Sequence, residues 1–191
     1  MKIGVPKEVH KGENRVATTP DAAEKLSKLG FTVSIEAGAG EASNFRDEDY
    51  TKVGVKIVDN AEKLWKDSDI IVKVRAPEKH PQLKVHETDL LDGKKTLISF
   101  IGAAQNKQLL DDLAKTKATV LAMESIPRIS RAQKMDALSS MANIAGYKAV
   151  IEAAEHFGRF FCGQVTAAGK IPPAKVMVIG AGVAGLSALG T

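Results

Sequence analysis

Short apolar runs alternate with amphipathic stretches through the first two thirds of the chain. Residues 2–5, 31–37, 56–58, 69–75, 95–101 and 118–123 are rich in Val, Ile, Leu and Thr, and Gly38, Asp59 and Gly102 close three of them. That is the signature of strands. Helical patterns lie between. Pro20 follows Thr19 at a first helical position, Leu26 and Leu29 punctuate the following turns, and Gly30 stands just past the end. Asp59 or Asn60 can cap a helix over 61–66. Asn106 can cap one over 107–116, with Leu109, Leu110 and Leu113 on one face. Strand–helix alternation predicts an α/β lobe with a mostly parallel sheet and helices on both sides.

The pattern changes after residue 125. Residues 127–134 are polar and irregular and read as an exposed loop. Helical spacing then holds without proline over 136–157, through Leu138, Met141, Ile144 and Ala145 and on to Ala149 and Ala153. Its Ala, Ser and Gly residues allow another backbone to come close, either within the lobe or across a dimer. Pro172 and Pro173 mark a break before 175–179, which reads as a buried strand. The expected lobes are 1–135 and 136–191.

Composition narrows the function. The chain has 191 residues, 44% hydrophobic and 26% charged, which suits a folded core and not a disordered tract. One cysteine, Cys162, excludes a disulfide framework and a multi-cysteine metal cluster; following Phe160 and Phe161, it reads as a packed small hydrophobe. The net charge of +4 is dispersed among acids, and one Trp with two Tyr offers little to stack on bases, so nucleic acid is not an expected partner. No signal peptide opens the chain, and its longest apolar stretch falls short of the roughly 20 residues of a membrane span, so direct membrane insertion is not expected. His10, His80, His86 and His156 show no metal-ligand spacing and read as surface or cap residues. No G-x-S-x-G elbow surrounds Ser139 or Ser140, which argues against a hydrolase.

Gly180-Ala181-Gly182-Val183-Ala184-Gly185 is a G-x-G-x-x-G directly after an apolar run and opening a helix. Gly180 permits the tight turn, Gly182 lets the backbone approach a pyrophosphate, and Gly185 lets the helix pack close. Amides near Gly182, Val183 and Ala184 would then face the phosphates. The alternative is a tight turn that binds nothing. The ribose-binding acid belongs about 20 residues further on, beyond Thr191, so the chain reads as part of a larger protein. A cut sheet would leave apolar surface near 176–189, which predicts dimerisation, swapping or fraying.

The stretch Ser125-Ile126-Pro127-Arg128-Ile129-Ser130-Arg131-Ala132-Gln133-Lys134-Met135-Asp136, continuing through Ser139 to Tyr147, resembles the N-terminal, NAD(H)-binding part of proton-translocating NAD(P) transhydrogenases. Arg128, Gln133 and Asp136 match that family's Arg-x4-Gln-x2-Asp loop, and Ser139 falls where the family has a serine near the nicotinamide. The resemblance runs the length of the chain and implies a Rossmann-like first lobe, a long connecting helix and the start of a second Rossmann lobe. It implies catalytic roles for Arg128, Gln133 and Asp136. Arg128, Ile129, Ser130, Arg131, Gln133, Asp136, Ser139 and the glycine turn would contact NAD(H). Arg128 could hold a carboxamide or phosphate oxygen, Gln133 could reach the partner's nucleotide, and Asp136 could fix the ring or Arg128, or simply cap the helix. Implied partners are a second copy and the NADP(H)-binding and membrane-spanning domains or subunits. The implied place is the cytoplasmic face of a bacterial inner membrane, or the matrix side in mitochondria.

Alanine dehydrogenases resemble the chain too, through Gly4-Val5-Pro6-Lys7-Glu8, Glu13-Asn14-Arg15-Val16 and the Gly38-Ala39-Gly40 turn. That family uses a lysine in a Lys-x-Lys-x-Pro run, where this chain has Lys73-Val74-Arg75-Ala76-Pro77, and a histidine near 99–104 that is absent here. Arginine cannot exchange protons near neutrality. Arg15 is then expected in a structural ion pair.

Overall fold

The apolar runs of the first 122 residues pair side by side in the computed structural model, which describes residues 1–191. The strands β1 (Lys2–Val5), β2 (Thr32–Glu36), β3 (Lys56–Val58), β4 (Ile70–Val72), β5 (Thr96–Ser99) and β6 (Thr119–Ala122) form one sheet in the order 3-2-1-4-5-6. Every pairing is parallel, with Ile3 opposite Val33 on one side and Ile70 on the other. This is the doubly wound order, with the reversal between β1 and β4.

Local signals set the helices. In α1 (Pro20–Lys28) the Thr19 hydroxyl accepts the amide of Ala22 at 3.3 Å, and Gly30 turns the chain at φ +92°. A second helix, α2 (Asp47–Lys52), is short, polar and not foreseen from periodicity. Asn60 caps α3 (Ala61–Asp67) by accepting from the Lys63 amide at 2.8 Å. Asn106 precedes α4 (Lys107–Thr116) but does not cap it as expected. Its backbone lies outside the capping conformation, and its side-chain amide donates instead to the Ile101 carbonyl at 2.8 Å.

The core lies against both faces of the sheet. Val5, Ile35 and Tyr50 anchor one cluster, and Trp65, Ile71 and Leu97 the other, all fully buried. Charges are buried with them. Lys73 Nζ lies 2.6 and 2.7 Å from the two Glu87 carboxylate oxygens and 3.8 Å from Glu8, and all three side chains are essentially inaccessible. The Glu8 carboxylate also accepts the amides of Val74 at 2.6 Å and Arg75 at 3.2 Å, tying the chain after β1 to the chain after β4. His80, expected as a surface or cap residue, is buried and not at the surface, and its Nδ1 accepts from the Leu83 amide at 3.2 Å, as a cap does.

The chain forms two compact units, Met1–Ile126 and Pro127–Thr191. The second contains a 3-10 turn at Ser130–Met135, the helix α5 (Ala137–His156), an antiparallel hairpin of β7 (Gln164–Thr166) and β8 (Gly169–Ile171), and α6 (Val183–Gly190). Here two expectations fail. Residues 176–179 are not a strand, because no other strand lies beside them; Val176, Met177 and Ile179 are 54, 82 and 89% exposed. Cys162 is exposed and not packed, since its neighbours lie on the surface around the hairpin. The small residues of α5 do admit a second backbone, that of α6. A Cβ on buried Gly146 would collide with the Ala184 carbonyl, and Ser187 Oγ donates to the Asn143 carbonyl at 2.8 Å.

Candidate nucleotide site

Both predicted portions of the site lie in the second unit, joined through α5. The loop precedes the helix, and the glycine turn is held beside its middle through Gly146. At 1.5 Å rise per residue, Gly146 lies about 15 Å along the axis from Asp136.

The glycine turn has the geometry its spacing predicts. Gly180 sits at φ +110°, where other residues are strained. Gly182 is the extended residue preceding α6, and a Cβ built on it meets nothing within 4 Å, so the approach to its backbone is open. Gly185 is closed: a Cβ there would strike the Gly180 carbonyl. No side chain caps α6, leaving the first-turn amides of Val183 and Ala184 for an outside acceptor. An open backbone approach beside uncapped amides fits a pyrophosphate.

The loop divides into reaching and holding residues. Arg128, Ile129, Ser130, Arg131 and Gln133 are exposed, while Ala132 is buried and roots the 3-10 turn. The side chains of Arg128 and Gln133 make no hydrogen bond or ion pair. Asp136 is committed. Its carboxylate accepts from the Ser139 amide at 3.0 Å and from the Ser139 hydroxyl at 2.6 Å, capping α5. Those bonds from Ser139, with the nearby charge of Arg128, hold the Asp136 carboxyl below its ordinary value. Of the alternatives open for Asp136, the helix cap is the one formed.

A second polar cluster lies where the first sheet reverses direction. Glu13, nearly buried, accepts from Arg15 Nη2 and from Arg75 Nε, both at 2.6 Å. The side-chain bond from Arg15, outweighing the cost of burial, pulls the Glu13 carboxyl down to about 2. Arg15 thus has its expected ion pair, and Arg75 is a fixed cation in the same one. Sequence reasoning missed Glu13 as the shared acceptor, and also the trio of Lys73, Glu8 and Glu87. Isolated carboxylates carry no spacing signal, and partners of Glu13 and Glu8 here come from residues 62 and 66 positions away.

The profile described as "Alanine dehydrogenase/PNT, N-terminal domain" matches residues 4–145. The chain belongs to the alanine dehydrogenase/PNT family. The C-terminal domain profile of that family matches residues 149–191, including the glycine turn. NAD(P) transhydrogenase subunit alpha of Cereibacter sphaeroides is 59% identical over 191 residues, which is the whole of this chain and 35% of that protein. The crystal structure of transhydrogenase from Sinorhizobium meliloti superposes with a TM-score of 0.91 at 40% identity, over 99% of this chain and 55% of that one. An L-alanine dehydrogenase structure superposes at 0.85 with 31% identity, over 100% of this chain and 51% of that one. The chain therefore spans about a third to a half of the relatives it matches. Both branches of the family share its fold, so side chains must separate them.

Proposed function

We propose that this chain is the NAD(H)-holding part of a proton-translocating NAD(P) transhydrogenase, and that its exposed loop meets the nucleotide on a partner domain. The observation that carries this reading is the division of labour in the loop. Arg128 and Gln133 project without hydrogen-bond or ion-pair partners, while Asp136 and Ser139 hold the start of α5. The 59% identity to a transhydrogenase alpha subunit supports it. Bound NADH would supply a hydride from its nicotinamide C4, and NADP⁺ on the partner would accept it. Direct transfer between two rings asks the protein for orientation and exclusion of water. Gly180, Gly182 and Gly185 shape the pyrophosphate cradle, with the amides of Val183 and Ala184 as donors. Arg128 orients an amide or phosphate oxygen, flanked by Ile129, Ser130 and Arg131. Gln133 reaches toward the partner's NADP(H). Asp136 serves by aiming Ser139 and the loop.

The alanine dehydrogenase reading fares worse. Its reaction needs a residue able to exchange protons where Arg75 stands, and Arg75 is a permanent cation bound to Glu13. No helix of this chain is long and apolar enough to cross a membrane. Coupling to protons accordingly falls to membrane-spanning partner domains or subunits, with this part on the cytoplasmic face in bacteria or the matrix side in mitochondria. A second copy covering the apolar surface around Val176, Met177 and Ile179 would complete a homodimer.

An isotope experiment on the complete assembly tests the reading. Deuterium placed at the transferred C4 position of NADH should appear on NADPH with none lost to water. Deuterium in the solvent, or alanine-dependent reduction of NAD⁺, would contradict it.

A further inference from the structure

Residues 101–103 leave β5 with three successive amides turned toward one carboxylate. Glu124 Oε1 accepts from Gly102 at 2.7 Å and Ala103 at 3.2 Å, and Oε2 accepts from Ile101 at 3.0 Å. Gly102, at φ +64°, curls the backbone so that the amides converge. Such nests ordinarily bind anions; this one holds a carboxylate of the same chain. Asn106 braces the same turn by donating to the Ile101 carbonyl. Partial burial pushes the Glu124 carboxyl up, but its backbone hydrogen bonds outweigh that and hold it below its ordinary value.

Glu124 lies in the 3-10 turn Met123–Ser125 that ends β6, an edge strand, immediately before the exposed loop. The turn's own closing bond, from the Ile126 amide to the Met123 carbonyl, is long at 3.4 Å. Placement of the turn therefore rests on the carboxylate. Asp136 performs the matching task at the far end of the loop, taking amide and hydroxyl of Ser139. The segment bearing Arg128 and Gln133 runs from one carboxylate anchorage to another.

We propose that Glu124 is a positioning residue that fixes the point from which the loop bearing Arg128 and Gln133 departs. Its effect on hydride transfer rests on the transhydrogenase reading; the anchorage itself does not. Glu124 touches neither nucleotide in this account and acts through the loop.

The test uses the complete transhydrogenase with Glu124→Ala and Glu124→Gln, each with and without formate. Hydrogen exchange is followed over 101–103 and 125–135, beside kcat and the KM for NADH. Slow exchange at 101–103 is expected in the wild type. Glu124→Ala should speed exchange in both segments and lower kcat about tenfold with KM within about twofold, as for a small displacement of reacting groups. Formate, small enough to enter the emptied nest, should restore both protection and kcat. Glu124→Gln should fall between, because its amide oxygen can accept while its NH₂ opposes the third donor. Unchanged exchange over 125–135, or fast wild-type exchange at 101–103, overturns the anchorage; the latter reading needs no variant and survives any failure to fold. Loosened exchange with kcat unchanged overturns the role in hydride transfer. An assembly whose wild type transfers no hydride would sink the transhydrogenase reading alone, with the exchange data still deciding the anchorage.

Discussion

β4 and the stretch 176–179 are built from the same kinds of residue: Ile70-Ile71-Val72 in one, Val176-Met177-Val178-Ile179 in the other. Ile71 pairs with Gly4 on one side and Leu97 on the other and is fully buried. Ile179 has no neighbouring strand and is 89% exposed. Apolar composition makes a segment able to be a strand, but backbone N–H and C=O groups on both edges must find partners before it is one. The first unit supplies those partners within 122 residues. The second presents a nucleotide turn whose preceding apolar segment is unpaired in this chain, and its order there rests on helix packing between α5 and α6.

The largest expected contrast comes from Lys73→Met. It would leave the carboxylates of Glu87 and Glu8 buried without their cation, and unpaired buried charge costs about 3–5 kcal/mol. Denaturant unfolding followed by Trp65 fluorescence should show that loss. A midpoint close to wild type would mean the trio is solvated and the first unit less tightly built than described.

Gly146→Ala or Gly185→Ala should act on the second unit instead. Each added methyl meets backbone, of Ala184 or Gly180 respectively, and overpacking of this kind costs about 1–3 kcal/mol. Faster hydrogen exchange in α6 with unchanged protection in β1 and β4 is the expected reading. Equal loosening of both would erase the distinction between the units.

A pH effect is smaller and signed. The Glu13 carboxyl is lowered from 4.5 to about 2, chiefly by its bond from Arg15. Its contribution to stability is present above the unfolded value and lost as pH falls through that range. Glu8 and Glu36, pushed up chiefly by burial, contribute in the opposite sense, favouring the fold as they take up protons. Glu13→Gln should therefore flatten acid destabilisation between pH 4.5 and about 2; an unchanged slope would place the acid response elsewhere. The smallest effect belongs to Ile179→Ser, expected to change the stability of this chain by no more than about 0.5 kcal/mol, as exposed positions do. A larger loss at protein concentrations where the chain is a monomer would show that residues 176–179 are covered within one copy.

Much of this was legible beforehand where a local cause suffices. All six parallel strands follow from short apolar runs, three of them closed by Gly38, Asp59 and Gly102, and α1 and α3 begin at Thr19 and Asn60 because those side chains meet orphan amides. The glycine turn was legible because Gly180 and Gly185 each answer a separate steric demand, a positive φ and a close backbone. Other features depend on distant partners. Asn106 has a cap's sequence position, but the Ile101 carbonyl competes for its side chain. His80 is buried although histidine has no strong preference for the interior, and the three-amide grip on Glu124 exists only once β5 and β6 lie side by side. Residues 175–179 misled because a buried strand and an unpaired apolar segment read alike.

The loop's proposed work is tested most directly by Gln133→Ala in the complete enzyme, measuring single-turnover hydride transfer and NADH affinity on the same preparation. Transfer should slow about 10- to 100-fold, the scale of misplaced reacting groups, with NADH affinity nearly intact. Equal losses in both, or no loss in transfer, would contradict it.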